Sequence, residues 1–490
     1  ASMIYVGSAL GVTFAGDFFV LFIFWEFMAF SATFLVWARR SRESLASGFR
    51  YLLVHIFSGV CLLGGIIIHL SQTGSIAFTS MMPHEGSISF YLILLSFIIN
   101  AAVPPFGAWL PDAYPEATVT GAVFMTAYTT KSAVYVLARG YPGTEILMWL
   151  GAIMAVYGII YAFLENDARR LLSYHIISQV GFMVCGVGIG TEMALNGSVS
   201  HAFAHIIYKG LLFMSAGAVI EMTGKRKLTE LGGLYKTMPL TMVFFLIGGF
   251  SIAGAPLLSG FVSKSMTVSA AGEEHKLFAF LMLTLATTGT FLSIVLKQSY
   301  YMFFGKDSGM RTKEPPLNML IAMGIASFIC LLIGVFPSTL YSLLPFPVHY
   351  APYTSQHIMS SLGIFGFTAL GFFMLLKNIV PKPTISLDTD WLYRKGAKAF
   401  MWVANKPVAT FEYNIVGEAY EFIIQKPILK IAHYLRVFDT GAVDGTANGI
   451  GKLTVLLSKA MRLIQSGQIQ HYALFIVFGV IVILALVLFL

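Results

Sequence analysis

Gly254-Ala255-Pro256-Leu257-Leu258-Ser259-Gly260 cuts across an otherwise apolar run, and Val103-Pro104-Pro105-Phe106-Gly107 does the same about 150 residues earlier. Proline removes a backbone donor and glycine loosens the turn, so Pro104, Pro105, Gly254, Pro256 and Gly260 are expected to break their helices. Irregular backbone at membrane depth is tolerated only where it is buried in protein or lines a wet cavity. A simple proline kink accounts for either break alone but less well for the pair. Broken helices at corresponding positions point to a transporter built from inverted repeats.

The surrounding composition supports a membrane setting. Of 490 residues, 57% are hydrophobic and 11% are charged, less than half of the ~25% charge of a soluble domain. This excludes a cytosolic or secreted globular enzyme. On a template of ~20 mostly apolar residues, about thirteen spanning segments are expected. They lie near 3–16, 18–38, 51–70, 88–103, 118–138, 146–164, 171–190, 198–220, 238–254, 278–303, 317–340, 358–379 and 472–490. These runs are too long and continuous for barrel strands. The expected fold class is all-α, a polytopic transmembrane helical bundle.

Loop charges thread the bundle. Arg39, Arg40, Arg42 and Arg50 follow the second segment, Arg169 and Arg170 the sixth, Lys225, Arg226, Lys227 and Lys236 the eighth, and Lys306, Arg311 and Lys313 the tenth. All fall on one side of an alternating path, which the positive-inside rule makes cytoplasmic, with 380–470 on the same side. The net charge of +8 is thereby explained without nucleic acid. Cys61, Cys185 and Cys330 lie in apolar runs without C-x-x-C spacing, and no Gly-rich nucleotide loop is evident. No metal site and no cofactor are expected on this chain. Because it opens at Ala1 inside an apolar run, the N-terminus is expected to be processed or incomplete. Residues 386–470 mix charge with Trp391, Phe400, Trp402, Phe411 and Tyr420, the pattern of an amphipathic helix on a membrane or partner surface.

Several charges stand where lipid is expected. Glu26 lies mid-segment in Phe22 through Phe30, where an ionised group costs ~2.5–3.5 kcal/mol on insertion scales. It either faces a water-filled path or is a carboxyl held neutral by burial. Lys131 can snorkel towards the end marked by Arg139 or serve the same path. His201, His205 and Lys209 recur in steps of four on nearly one helix face, a ladder ~12 Å long at 1.5 Å per residue. An i, i+4 histidine pair can hold a metal, but no carboxylate or thiol adjoins this one and a lysine one turn on repels a cation. A ladder that holds or passes protons fits better than a pair of satisfied core histidines. Lys264 stands just past the second break, where its protonation is switchable by desolvation or by a carboxylate.

These residues carry a resemblance. Phe24-Trp25-Glu26, Trp109 through Ala113, Asp167 through Gln179, His201 through Lys209 and Pro256 through Lys264 resemble, in order, the antiporter-like subunits shared by respiratory complex I, Mrp cation–proton antiporters and membrane-bound hydrogenases. The core is most similar to the D-type subunit of the Mrp antiporters. The end, Val443 through Ala473, resembles the L-type subunit of complex I, in which a lateral helix precedes a last spanning helix. The resemblance implies that Glu26 is the first-half glutamate, Lys131 the following central lysine, and His201, His205 and Lys209 the connecting relay. Lys264 is then the second broken-helix lysine, at the exit. One departure is Asn100, which stands where the family usually has its first broken-helix lysine and cannot be protonated. Lys131 is therefore expected to take over as charge partner of Glu26.

The organisation implied is a first half-channel repeat at 1–140, a second at 141–305, and further spanning helices at 306–385. An amphipathic lateral segment at 386–470 and a transmembrane anchor at 471–490 follow. The expected function is translocation of protons, or exchange of sodium for protons, by one subunit of a multisubunit complex in a prokaryotic plasma membrane. Protons would enter by Glu26 and Lys131, pass Lys209, His205 and His201, and leave by Lys264. Other membrane subunits, contacted partly by 386–470, and a peripheral redox arm are the expected partners, with no active site on this chain itself. The rivals are a stand-alone transporter of a small solute or cation and a non-conducting membrane scaffold.

Overall fold

The computed structural model describes residues 1–382 and 388–489. The boundary expected at 385/386, the first two residues of the amphipathic stretch and Leu490 lie outside the described residues. Two compact units are present, Ala1–Tyr393 and Arg394–Leu490.

The first unit is a helical membrane bundle. Its helices are α1 (Ser2–Phe14), α2 (Phe18–Trp37), α3 (Arg42–Thr73), α4 (Ile88–Asn100), α5 (Trp109–Ala113), α6 (Val119–Ala127), α7 (Thr129–Gly140) and α8 (Glu145–Leu164). Then come α9 (Ala168–Ile189), α10 (Glu192–Thr223), α11 (Pro239–Ala253), α12 (Ser259–Glu273), α13 (Leu277–Thr290), α14 (Leu317–Val335), α15 (Ser338–Tyr341) and α16 (Ser355–Met374). The breaks fall where proline and glycine place them. Each contains a non-glycine residue in the left-handed region, Ala102 (φ 61°) and Leu257 (φ 69°). Each is also closed by a glycine whose Cβ would collide with backbone, Gly107 against Ala102 O and Gly260 against Ser251 O.

The bundle is two copies of one plan. Asp17 caps α2 and bridges to Ala77 after α3; Asp167 caps α9 and bridges to Lys227 after α10. α3 and α10 are both 32 residues long and end on left-handed glycines, Gly74 and Gly224. Each of these features recurs 150 residues on (17 to 167, 74 to 224). The copies run in opposite directions. Arg39, just past the end of α2, pairs with Glu116 at 2.8 Å, Glu116 pairs with Arg226, and Arg226 pairs with Asp167 at the start of α9. The end of α2 and the start of its counterpart α9 therefore share one face. Four crossings lie between corresponding helices, an even number, so inversion follows from the count. Arg170–Glu165 and Arg50–Asp112 pair near the same face, which gathers the basic loops as the positive-inside reading requires. Arg169 is buried there and donates to the carbonyls of Ala117, Tyr114 and Thr118, an anchor of the loop after α5.

Several elements differ from the sequence expectation. α3 begins at Arg42 because Ser41 and Ser44 form a capping box, so two amphipathic turns that read as loop extend the helix and carry Arg50 within it. The segment expected as one helix at 118–138 is interrupted at Tyr128 (φ −111°, ψ −64°), a third break with no proline or glycine to announce it. After α13 the chain continues as wide π turns over Phe291–Gln298 and Tyr300–Phe304.

The second unit is helical over its described length to Ile464, with π turns interspersed, followed by an apolar helix at Ile469–Phe489. Between Lys426 and Phe438, Ile428, Ile431, Leu435 and Phe438 recur at helical spacing while Lys430, His433 and Arg436 occupy the other side, an amphipathic helix as expected. These apolar side chains are exposed in the isolated chain.

Candidate functional site

Inside the first unit, titratable side chains stand within the spanning helices of both repeats. Glu26 projects from α2 against α3, where Gly59 leaves the space, since a Cβ at Gly59 would collide with Glu26 Oε1. That oxygen has no hydrogen-bond partner among the described residues. Lys131 sits in the first turn after the Tyr128 break, 7% exposed. Its Nζ donates to Thr126 O at 2.6 Å and to Thr130 Oγ1 at 3.0 Å. The break frees the Thr126 carbonyl, and the lysine satisfies it. Among the described residues no ion pair joins Lys131 to Glu26; the structure holds the lysine on its own helix instead.

Asn100, at the end of α4, is fully buried, and both its side-chain polar atoms are unpartnered among the described residues. A buried amide left this way costs about 1–3 kcal/mol of desolvation. His55 on α3 is likewise buried; its Nδ1 meets Tyr51 O at 2.9 Å and its Nε2 is unpartnered. Its ring lies edge-on to Trp109, and Tyr51 and Tyr5 share the Thr129 hydroxyl nearby.

Three of them stand on α10. His201, His205 and Lys209 are all fully buried. His201 Nδ1 lies 3.5 Å from Ser263 Oγ on α12, and its Nε2 lies 3.5 Å from Tyr208 Oη. Both ring nitrogens of His205 and the Nζ of Lys209 have no hydrogen-bond partner among the described residues. The charges of Lys131, Lys209, His201 and His175 all act on His205, so the ladder joins the two repeats electrostatically. Lys264, 2% exposed on α12, points its Nζ over the Phe182 ring at 4.4 Å and reaches Ile252 O at 3.4 Å, a carbonyl freed by the second break. It lines a cavity of about 220 Å³ with Gly254, Gly260, Ser265 and His357. His357 also lines a wider cavity of about 730 Å³ that contains Glu192 and Glu273. Glu192 opens α10 and Glu273 closes α12, which places this cavity at the end of the bundle opposite the basic loops.

Two buried residues escape a reading of the sequence. His175, inside the conspicuous stretch from Asp167 to Gln179 but with no role evident there, is fully buried on α9, with Nε2 2.8 Å from Ser293 Oγ and Nδ1 unpartnered. Lys297, in the π turns after α13, is 2% exposed and donates to Phe163 O and to Glu165 O, the latter at 2.8 Å. A hydropathy window averages a single lysine away; its only sequence signal is a charge seven residues inside a long apolar run. Among the described residues, no group of three or more His, Cys, Asp or Glu side chains is arranged to hold a metal, and the three cysteines are free and buried.

Comparison with known proteins places this architecture. A chain of the Mrp complex from Dietzia sp. aligns with TM-score 0.64 at 22% identity, covering 75% of this chain and 78% of that one. A chain of the membrane-bound sulfane sulfur reductase, an archaeal respiratory membrane complex, aligns with TM-score 0.72 at 23% identity, covering 88% and 83%. Among curated relatives, the D-type Na(+)/H(+) antiporter subunit of Alkalihalophilus pseudofirmus is 31% identical over 315 residues, 60% of this chain and 63% of that protein. The A-type Na(+)/H(+) antiporter subunit of the same organism is 28% identical over 383 residues, 69% of this chain and 47% of that protein. The chain thus spans about half the length of the A-type relative and under two thirds of the D-type one. Residues 15–293, more than half of the chain and both helix breaks, match the family described as NADH:quinone oxidoreductase/Mrp antiporter, TM. The chain is an integral, multi-pass membrane protein and belongs to this family.

Proposed function

We propose that the chain is a proton-translocating, or sodium/proton-exchanging, antiporter-like subunit of a multisubunit complex in a prokaryotic plasma membrane. The observation that carries this reading is the buried set Lys131, His205, Lys209, His201 and Lys264, with half-buried Glu26 on α2; Lys264 lines a cavity that shares His357 with the one opposite the basic loops. Charges in lipid are costly, and those that persist usually mark ion or proton paths. His205 and Lys209 make no side-chain hydrogen bonds among the described residues, so their polarity has no structural return. Protons enter through the half-channel of the first repeat at Glu26 and Lys131. They cross on Lys209, His205 and His201 and leave past Lys264, which the second break exposes to the cavity. The Tyr128 break and the second proline–glycine break let Lys131 and Lys264 rest on carbonyls and release them without exposing backbone to lipid.

The driving force comes from other subunits, by ion gradients or by redox chemistry in a peripheral arm. The exposed amphipathic stretch within 386–470 supports a surface that other membrane subunits cover; a lone transporter has no use for it. Reconstituting the purified complex and imposing a potassium diffusion potential tests the reading. Lys209→Ala and Lys264→Ala should abolish proton uptake while the complex keeps its subunit content. Uptake at the wild-type rate in both variants would overturn it.

A further inference from the structure

The last helix of each repeat is irregular and carries one deeply buried lysine. In the first repeat, Lys131 follows the Tyr128 break and rests on Thr126 O. In the second, Lys297 lies in the π turns after α13 and rests on the final carbonyls of α8, Phe163 O and Glu165 O. π turns are frequent at functional sites. Ser293 stands one turn before Lys297 and its hydroxyl meets His175 Nε2 at 2.8 Å, while Gln298 donates to Ala168 O at 3.1 Å and fixes the register of the turn. His175 lies within range of the charges of Lys209, Lys264 and Lys297. Towards the basic face, Glu165 pairs with Arg170 at 3.3 Å.

We propose that Lys297, Ser293 and His175 form a second proton intake, running from the basic face at Glu165 to the central Lys209. It deepens the reading of the chain as a proton path and rests on it. Lys297 and Lys131 are each a buried lysine on a helix past a proline–glycine break, but the 150-residue offset sets Lys131 opposite Leu281, so the second repeat feeds the shared ladder on α10 from a position of its own. At rest the Ser293 hydroxyl donates to Gly289 O at 2.6 Å. Once it turns to an Nδ1–H imidazole, a proton leaves Lys297 Nζ as Ser293 gives its own hydroxyl proton to His175 Nε2 and takes the lysine's, so the serine ends neutral and one positive charge has moved to the imidazole. Residues four apart on a helix lie ~5–6 Å apart at Cβ, a gap that a swing of the lysine or one bridging water closes. The imidazole then releases a proton from Nδ1, which no described protein group occupies, towards Lys209.

The competing role for Lys297 is purely a helix cap, since lysines commonly satisfy terminal carbonyls. Lys297→Arg separates the two: it keeps the charge and the donors but does not release a proton at working pH. Ser293→Ala leaves the cap untouched and removes the contact to His175. The assay is driven proton uptake by the reconstituted complex, with subunit content measured alongside. Lys297→Arg, Ser293→Ala and Glu26→Gln should each lower uptake about twofold, as for one of two parallel inputs, and Glu26→Gln with Lys297→Arg should remove far more than the product of the singles. Wild-type uptake in Lys297→Arg and Ser293→Ala, or complete loss in Glu26→Gln alone, would overturn the second intake. Lys209→Ala is the separating control. If it leaves uptake intact, the proton path itself fails; if it abolishes uptake while Lys297→Arg does not lower it, only the second intake fails.

Discussion

The two repeats share a plan and differ in where they keep their charge. Counting 150 residues on from the first repeat, Trp25 and Glu26 on α2 correspond to His175 and Ile176 on α9, while Tyr51, His55 and Gly59 on α3 correspond to His201, His205 and Lys209 on α10. The first repeat puts a carboxylate on α2 and clears room for it with Gly59. The second puts a lysine at the matching place on α10 and leaves Ile176 opposite. One helix pair thus supplies a negative group and its counterpart a positive one, and only the histidine at 55 and 205 is common. The breaks differ too: the first offers Asn100, buried and unprotonatable, whereas the second offers Lys264 beside an open cavity. The same backbone serves intake alone in the first half, and both release and a second intake in the other, because the titratable groups are redistributed, not because the fold changes.

This contrast can be broken most strongly at Lys264. Its replacement by alanine should cut driven proton uptake by ~10²-fold, the low end of what a positioned proton donor contributes. Glu26→Gln should cost only about twofold if intake is shared between two inputs. Equal losses in the two would erase the asymmetry. Stability gives the next test. Gly260→Ala and Gly107→Ala each drive a Cβ into backbone at a break, and overpacking of this kind costs about 1–3 kcal/mol, so both should lower the melting temperature of the complex in detergent. Unchanged melting in either would mean that its break is not locked as described.

Asn100→Lys sharpens the comparison by giving the first break the group that the second one has. It should raise the dependence on Glu26, so that Glu26→Gln in that background costs more than the twofold expected alone, again read by driven uptake. The smallest effect belongs to the loop at the basic face. Asp307 is held below the usual carboxylate range by hydrogen bonds from Arg311, Lys236 and Gly309 N. A depressed folded-state value contributes stability above the unfolded value of ~3.9, and it is lost only as pH falls through the lower folded one. Asp307→Asn should therefore loosen residues 306–313, seen as faster amide exchange at neutral pH, with proton uptake unchanged.

Much of this was legible in the sequence for a physical reason. Charges inside apolar runs are costly, so Glu26, Lys131, the α10 ladder and Lys264 stood out against their surroundings, and proline and glycine marked the two main breaks. The interruption at Tyr128 and the π turns around Lys297 arise from tertiary packing and leave no such residues behind. His175 fell inside the expected segment 171–190 but had no titratable neighbour at helical spacing to mark it, and Arg169 and Arg170, assigned to the loop before it, lie on the same largely buried helix. The expected pairing of Lys131 with Glu26 rested on the resemblance and its departure at Asn100. The structure instead gives the lysine a carbonyl freed by a break that the sequence did not announce.

The most direct test is His205→Leu. Both ring nitrogens of His205 are buried and unpartnered, so an apolar residue of similar size removes a desolvation cost and should leave the fold intact. The account predicts a complex of normal subunit content whose driven proton uptake falls by ~10²-fold. Wild-type uptake from that complex would contradict it.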